Sequence, residues 1–187
     1  MADPILRDFP YSFETERLTI RGPLPGDARG LRQAVIESQN ELVPWMPWAV
    51  DIMTEQQYEV RVREGQIKFL AREDLWMMLL LKGSDTFVGG SGLHRIDWSV
   101  PKFEIGYWVR TKFAGQGYIT EAVNGITRLA FETLNAERVE IRCDVKNVRS
   151  AAVAKRAGYV LEGTFRHDAR DHYDTLRDTY VFARTRD

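Results

Sequence analysis

Cysteine is almost missing from this 187-residue chain. Cys143 is the only one, so no intrachain disulfide can close and no cysteine-based zinc site can be assembled. A reducing cytoplasm is the setting this predicts. Long apolar runs are missing too. The longest spans residues 75–81, far short of the roughly 20 residues a membrane span needs, and it reads as a buried strand. Residues 1–20 contain no apolar stretch of signal-peptide length. Nor does one sign of charge prevail: the formal net charge is −1, which speaks against broad attraction to nucleic acid or an anionic membrane. Repeats, low-complexity tracts and long linkers are likewise absent. What remains is 44% hydrophobic and 28% charged, the balance of a soluble globular protein, and the length predicts one domain over residues 1–187.

The patterning predicts helices and strands in alternation. A strand over 17–21 leads through Gly22, Pro23, Pro25 and Gly26 to Asp27, which can cap a helix running to about Glu37. Residues 40–50 read as irregular, with Trp45 and Trp48 interleaved with Pro44 and Pro47. Thr54 can cap a second helix to about Leu70. Strands over 75–81 and 86–93 are joined by a turn at 82–85. In the strand over 103–110, Phe103, Ile105, Tyr107 and Val109 take one face while Glu104, Gly106 and Trp108 take the other. Beyond a glycine-rich loop, Ile119, Ala122, Val123, Ile126, Ala130 and Leu134 form one helical stripe. A strand over 139–145, a short helix over 149–157 and strands over 159–166 and 176–183 close the chain. The fold class is α/β (α+β), with a mixed sheet of six or seven strands, mostly antiparallel at the start, and about four helices.

Gly115-Gln116-Gly117-Tyr118 lies between a strand and a helix. Glycines there let backbone approach a ligand, and the free N–H groups of a helix start attract an anion such as a pyrophosphate. A dinucleotide-binding turn would need a third glycine where Thr120 stands. A P-loop would need Gly-Lys-Ser/Thr, which occurs nowhere in the chain. Two readings stand at this point, a ligand cradle and a plain tight turn.

A longer pattern separates them. Glu104-Ile105-Gly106-Tyr107-Trp108-Val109 leads into Gly115-Gln116-Gly117-Tyr118-Ile119-Thr120-Glu121-Ala122. Asn147-x-x-Ser150, Ala157-Gly158-Tyr159 and Leu161-Glu162-Gly163 follow in order. This run resembles the GCN5-related N-acetyltransferase (GNAT) superfamily. Together with Trp45-Met46-Pro47-Trp48 it resembles the branch of ribosomal-protein N-terminal acetyltransferases. The resemblance implies a sheet that splays between the 103–110 and 139–145 strands, with the pantetheine arm of acetyl-CoA in the gap beside Trp108 and Val109. It also implies a pyrophosphate on the amides of Gly115, Gln116, Gly117 and Tyr118, with Ile119 and Thr120 opening the helix and Asn147 and Ser150 near the donor. Many members carry Gln or Arg three residues before the first loop glycine. Here that position is Lys112, which meets phosphate as a point charge without the planar fork.

Amide formation from a thioester needs a neutral amine, a held carbonyl, oxyanion stabilisation and a proton for the leaving thiolate. The amide of Val109 is the candidate to polarise the carbonyl, and no metal is required. Many superfamily members supply the thiolate proton from a tyrosine seven residues after the asparagine matching Asn147. Ala154 stands there, and the resemblance transfers the role to Ser150. Ser150 also falls in the first turn after an Asn147 N-cap, where it would serve the helix alone. For a base, Glu104 faces the same way as Gly106 and Trp108, and the resembling branch points to Asp168 as well. Each has the alternative of a plain salt-bridged carboxylate.

His167, Asp168, Asp171 and His172 have the composition of a metal cluster, but they sit where a strand enters a loop and read as a solvated turn. Trp45 and Trp48 are candidate walls of an acceptor pocket, Trp76 reads as core, and Cys143 as inert packing. Glu37, Glu41 and Asp51 flank the aromatic segment and would suit a basic protein tail. The expected partners are acetyl-CoA and an amine, foremost a ribosomal-protein N-terminus, with no nucleic acid or membrane contact and with pairing into a homodimer. Two other readings stand beside this one: a small amine or another donor such as succinyl-CoA, and a silent acyl-CoA-binding module.

Overall fold

The structure is a computed structural model describing residues 3–171 and 173–186. Eight strands form one sheet: β1 (Ser12–Glu14), β2 (Leu18–Arg21), β3 (Leu75–Leu81), β4 (Phe87–Asp97), β5 (Lys102–Val109), β6 (Arg138–Asp144), β7 (Val160–Arg170) and β8 (Leu176–Thr185). Their order is β1-β2-β3-β4-β5-β6-β8-β7. Every pairing is antiparallel except β5 with β6. The four helices are α1 (Ala28–Leu42), α2 (Glu55–Ala71), α3 (Tyr118–Arg128) and α4 (Val148–Arg156).

The sheet is covered on both sides, and the strand patterning shows it. In β3, Leu75, Met77 and Leu79 enter a core with Ile119, Val123 and Ile126 of α3 and Ala151 and Ala154 of α4. The alternate residues Met78 and Leu80 enter a second core with Leu31 and Val35 of α1 and Tyr58 and Val62 of α2. A strand buried on both faces has no polar alternation to show, which is why 75–81 reads as a continuous apolar run.

The α/β architecture agrees with expectation in its four helices and mixed sheet, and differs in strand count. The additional strand is β1, three residues paired with β2, too short to carry a period. Helix α1 runs to Leu42, consuming the first residues of the stretch read as irregular, and Pro47–Ala49 form a single 3₁₀ turn. Asp27 sits at the N-cap without capping: its carboxylate accepts two bonds from Arg21 at 2.7 Å and one from the amide of Leu24. Thr54 behaves as expected, with its hydroxyl accepting from the amide of Gln57 and the Gln57 side chain accepting from the amide of Thr54. The apolar stripe of α3 continues past Arg128 as a π-helical turn, Leu129–Thr133.

Strands β5 and β6 pair at only three positions, Lys102 with Arg138, Phe103 with Val139 and Glu104 with Glu140. Beyond Glu104 the two part. β5 stays bonded to β4 as far as Val109, and β6 stays bonded to β8 as far as Asp144. A gap therefore opens in the middle of the sheet, with the end of β5 as one bank and the end of β6 as the other.

Candidate active site

Tyr107 and Ser150 meet at this gap. The Tyr107 hydroxyl donates to the carbonyl of Ser150 at 3.0 Å and accepts from the Ser150 hydroxyl at 3.1 Å. Asn147 caps α4, its side-chain oxygen accepting from the amide of Ser150 at 3.0 Å. Ser150 serves the helix start through its amide, and its hydroxyl, bonded to Tyr107, lies at the gap. Sequence reasoning placed Tyr107 only on a strand face; its hydroxyl is a member of the site. Burial pushes the Tyr107 phenol well above its ordinary value. Cys143 of β6 is half-buried beside this pair, and burial raises its thiol while a hydrogen bond with Ser150 opposes the rise. A raised thiol is a poor nucleophile. Ala154 is fully buried in the core.

At the end of β5 the chain turns into the glycine loop. Gly115 (φ +75°) and Gly117 (φ +85°) both occupy the left-handed region, where a side chain is strained. Among the described residues the amides of Gly115, Gln116, Gly117, Tyr118, Ile119 and Thr120 find no acceptor; the first helical bond of α3 runs from Glu121 to the carbonyl of Gly117. Unbonded amides at a helix start form an anion site. Arg17 fixes the loop from behind, donating to the Gln116 carbonyl at 3.0 Å while its Nε pairs with Glu121 at 2.7 Å. Lys112 is exposed on the loop. Arg156 of α4, a cation not anticipated from sequence, reaches the Thr120 hydroxyl at 3.4 Å.

On the α1–α2 side of the sheet lies a cavity of about 270 Å³. Trp48, Trp76 and Trp108 wall it, with Trp48 edge-on to Trp108 at 5.7 Å between ring centres. Gly90 makes room for the Trp108 indole, because a Cβ there would lie 2.6 Å from its Nε1. Trp76 combines two roles, packing against Gly65 of α2 and facing the cavity. Met46, not Trp45, joins Trp48 in the lining, since the 3₁₀ turn at Pro47 directs the segment. Tyr58 also lines it. Its hydroxyl is buried and has no hydrogen-bond partner among the described residues.

Both carboxylates proposed as a base carry the salt bridge that was their alternative reading. Glu104 lies one strand step beyond the cavity lining, where burial raises its carboxyl and Arg95 at 3.4 Å opposes the rise. Asp168 is paired with Arg142 at 3.0 Å. Glu37 is engaged by Arg110 at 2.6 and 2.7 Å, and Glu41 accepts from Thr111 at 3.1 Å, so these two hold the start of the loop to α1. Asp51 is exposed. A residue outside the expected set, His94, lines the cavity with its Nδ1 2.8 Å from Asp74. Of the four residues at 167–172 with metal-like composition, His172 lies outside the described residues. Among the described residues no group of three or more His, Cys, Asp or Glu is arranged to hold a metal, and no helix is long and apolar enough to cross a membrane.

A splayed sheet, a run of unbonded amides at a helix start beyond the gap and an aromatic-walled cavity on the α1–α2 side make up this site. Residues 17–160 match the acetyltransferase (GNAT) domain model, and the chain belongs to that family of N-acetyltransferases. It is 34% identical over 152 residues to YdaF of Bacillus subtilis (strain 168), provisionally named a ribosomal N-acetyltransferase, covering 81% of this chain and 82% of that protein. It is 26% identical over 170 residues to the ribosomal-protein-serine acetyltransferase of Escherichia coli (strain K12), covering 91% and 93%. In fold it resembles the microcin C7 self-immunity acetyltransferase MccE, crystallised with acetyl-CoA and AMP, with a TM-score of 0.87, 21% identity and coverage of 95% and 98%.

Proposed function

We propose that this chain transfers an acetyl group from acetyl-CoA to the N-terminal α-amine of a protein, a ribosomal protein first among the acceptors. One observation carries the donor half. The open edge of β5 leads, through the 3₁₀ turn Thr111–Phe113, to the unbonded amides of residues 115–120, a combination suited to an extended arm ending in a pyrophosphate. On this reading Trp108, Val109 and Asn147 flank the arm, while Gly115, Gln116, Gly117, Tyr118, Ile119 and Thr120 hold the phosphates with help from Lys112 and Arg156. The amide of Val109 polarises the carbonyl, and the Ser150–Tyr107 hydroxyl pair returns a proton to the leaving thiolate.

The acceptor half is supported by the names of the two relatives, both of ribosomal acetyltransferases, and by the cost of making a neutral amine. An α-amine of pKa about 7.7–8.0 is about 10% neutral at pH 7, against about 0.04% for a lysine near 10.4, a difference of roughly 3.5 kcal/mol. The first residue of the acceptor would occupy the cavity, its apolar part on Trp48 and Trp108 and a polar atom at the orphan Tyr58 hydroxyl. On this reading Asp168, paired with Arg142, and the half-buried Glu104 remain the carboxylates assigned to the site. A cytoplasmic setting and a homodimer belong to the same reading, the exposed edge strand β7 with Val160, Leu161 and Phe165 being the surface that would pair.

The aromatic-walled cavity supports a second reading, acetylation of a small amine, since small ligands bind in concave, largely apolar pockets. Calorimetric titration with acetyl-CoA and succinyl-CoA, alongside thiol release over a panel of peptide N-termini and small amines, tests both. Turnover on peptide α-amines supports the first reading, and turnover confined to small amines replaces it with the second. Lack of binding to either CoA ester would remove both.

A further inference from the structure

We propose that His94, oriented by Asp74, is the catalytic residue that takes the proton from the attacking amine. The inference rests on the acetyl-transfer reading above and assigns a role that the sequence motifs did not locate.

The pair is created by sheet register. Leu75 opposes Leu93 across β3 and β4, so Asp74, just before β3, comes opposite His94. Their contact, Nδ1 to Oδ2, is 2.8 Å. An ionised carboxylate only accepts hydrogen bonds, so Nδ1 carries the proton in this contact and the lone pair of the neutral ring lies on Nε2. Among the described residues Nε2 has no hydrogen-bond partner. That edge of the ring lies over two glycines. A Cβ on Gly92 would be 3.0 Å from Nε2, and one on Gly106 would be 3.4 Å from it. The absence of side chains at these two positions is what gives the imidazole its place. Gly106, two residues before Trp108, pairs with Gly92 of β4 but not with β6, and Gly106, Trp108 and His94 all line the acceptor cavity. A register shift begins immediately after His94, where Arg95 takes a positive φ, the type of irregularity that aims a side chain at a site.

Asp74 is the direct partner of His94, Glu104 is opposite on β5, Arg95 adjoins it on β4, Arg61 of α2 lines the same cavity, and Tyr58 and Tyr107 bring the nearby phenols. Of the two carboxylates expected from sequence, Glu104 is turned to Arg95 and Asp168 to Arg142. His94 is the group with an open basic atom in the cavity.

The reaction balances as follows. An acceptor arriving as ammonium first releases one proton to solvent. The neutral amine nitrogen then bonds to the thioester carbonyl carbon and gives its surplus proton to His94 Nε2. The carbon–sulfur bond breaks with its electron pair on sulfur, the Ser150–Tyr107 pair supplies a proton to the thiolate, and His94 returns one proton through solvent. One amide and one free thiol result.

The test compares wild type, His94→Gln and Asp74→Asn on two acceptors: a peptide α-amine, and methoxyamine, whose electron-withdrawing oxygen makes the N–H of its adduct acidic enough to lose the proton to water. A lost base predicts a fall of about 10²-fold or more in kcat/KM for the peptide amine in His94→Gln, with only the limb set by the amine's own ionisation left in its pH profile. Asp74→Asn should fall in between. Methoxyamine turnover should change less than about threefold in both variants, because its proton leaves without help, and calorimetric affinity for acetyl-CoA should not move. Equal losses on both acceptors would reduce His94 to a packing role, and unchanged rates on both would remove it from the chemistry; either overturns the proposal. Wild type that binds acetyl-CoA but acetylates neither acceptor would instead overturn the transfer reading on which this one depends.

Discussion

The Ser150 hydroxyl donates to the Tyr107 hydroxyl at 3.1 Å, and the Tyr107 hydroxyl donates onward to the Ser150 carbonyl at 3.0 Å, so one short chain of bonds links α4 to β5 across the opening in the sheet. The chain sets the distance between the two banks and also positions a proton beside the gap. Loss of the terminal hydroxyl should therefore separate the two effects. Ser150→Ala is expected to slow thiol release by about 10- to 10²-fold while leaving the melting temperature nearly unchanged. Tyr107→Phe removes both bonds inside a buried region and should cost about 1–2 kcal/mol of stability as well. Steady-state thiol release and thermal melts of the two variants check this.

Glu104 gives a test by pH. Burial raises its carboxyl and Arg95 only partly offsets the rise, so the ionised form is the unfavourable one in the folded protein. The sign follows directly: the folded state binds the proton more tightly than the unfolded chain, so this group favours folding below the unfolded value of about 4.3 and loses that contribution as pH rises through its raised folded value. Glu104→Gln should raise the melting temperature at neutral pH and lose its advantage near pH 4. A variant that melts below wild type at neutral pH would show that the bond to Arg95 outweighs burial.

The local features of this site were legible because they depend on near neighbours. The Thr54 helix cap, the alternation of β5 and the glycine turn at 115–117 all follow from residue type at fixed spacing. His94 was hidden because its partner is 20 residues away and their meeting depends on hairpin register. Counted back from the turn, Leu80 opposes Phe87; a bulge between Leu79 and Leu80 then shifts the pairing so that Leu79 opposes Gly89. Without that one-residue shift Asp74 would face Leu93. Trp45 and Trp48 were indistinguishable in sequence for a similar reason, since a single 3₁₀ turn decides which of them reaches the cavity. The acidic residues of α1 looked available for a basic tail; that Glu37 and Glu41 are engaged by Arg110 and Thr111 is tertiary information.

Arg110 is buried, with Glu37 pairing to it through two bonds, and the pair ties the start of the glycine loop to α1. Arg110 holds the Glu37 carboxyl below its ordinary value. A lowered carboxyl stabilises the fold above the unfolded value of about 4.3, and that contribution is lost as pH falls through the folded value. Glu37→Gln leaves a buried cation with a weaker partner. Discounted for the partial exposure of Glu37, the expected cost is about 1–2 kcal/mol at neutral pH. The acid limb of the stability curve should flatten accordingly. Urea unfolding at neutral pH and near pH 4 measures both.

The donor cradle is best tested at Gly117, which caps α3 at φ +85° with its amide unbonded. An added Cβ would contact only the flexible end of Arg17, at 3.4 Å, so the penalty is conformational and not a clash. Left-handed backbone costs a non-glycine residue about 1–2 kcal/mol, equivalent to a fall of roughly 2–8 °C in melting temperature for a chain of this size. If the loop relaxes out of the left-handed region, the amides of residues 115–120 no longer converge, and affinity for acetyl-CoA should fall by about tenfold or more, the loss of one charge-assisted hydrogen bond. Gly163→Ala is the control. Its Cβ would meet open space and its φ lies outside the left-handed region, so neither melting nor binding should change. Gly117→Ala with full donor affinity would mean that the anion is held by Lys112 and Arg156 side chains and not by the backbone cradle.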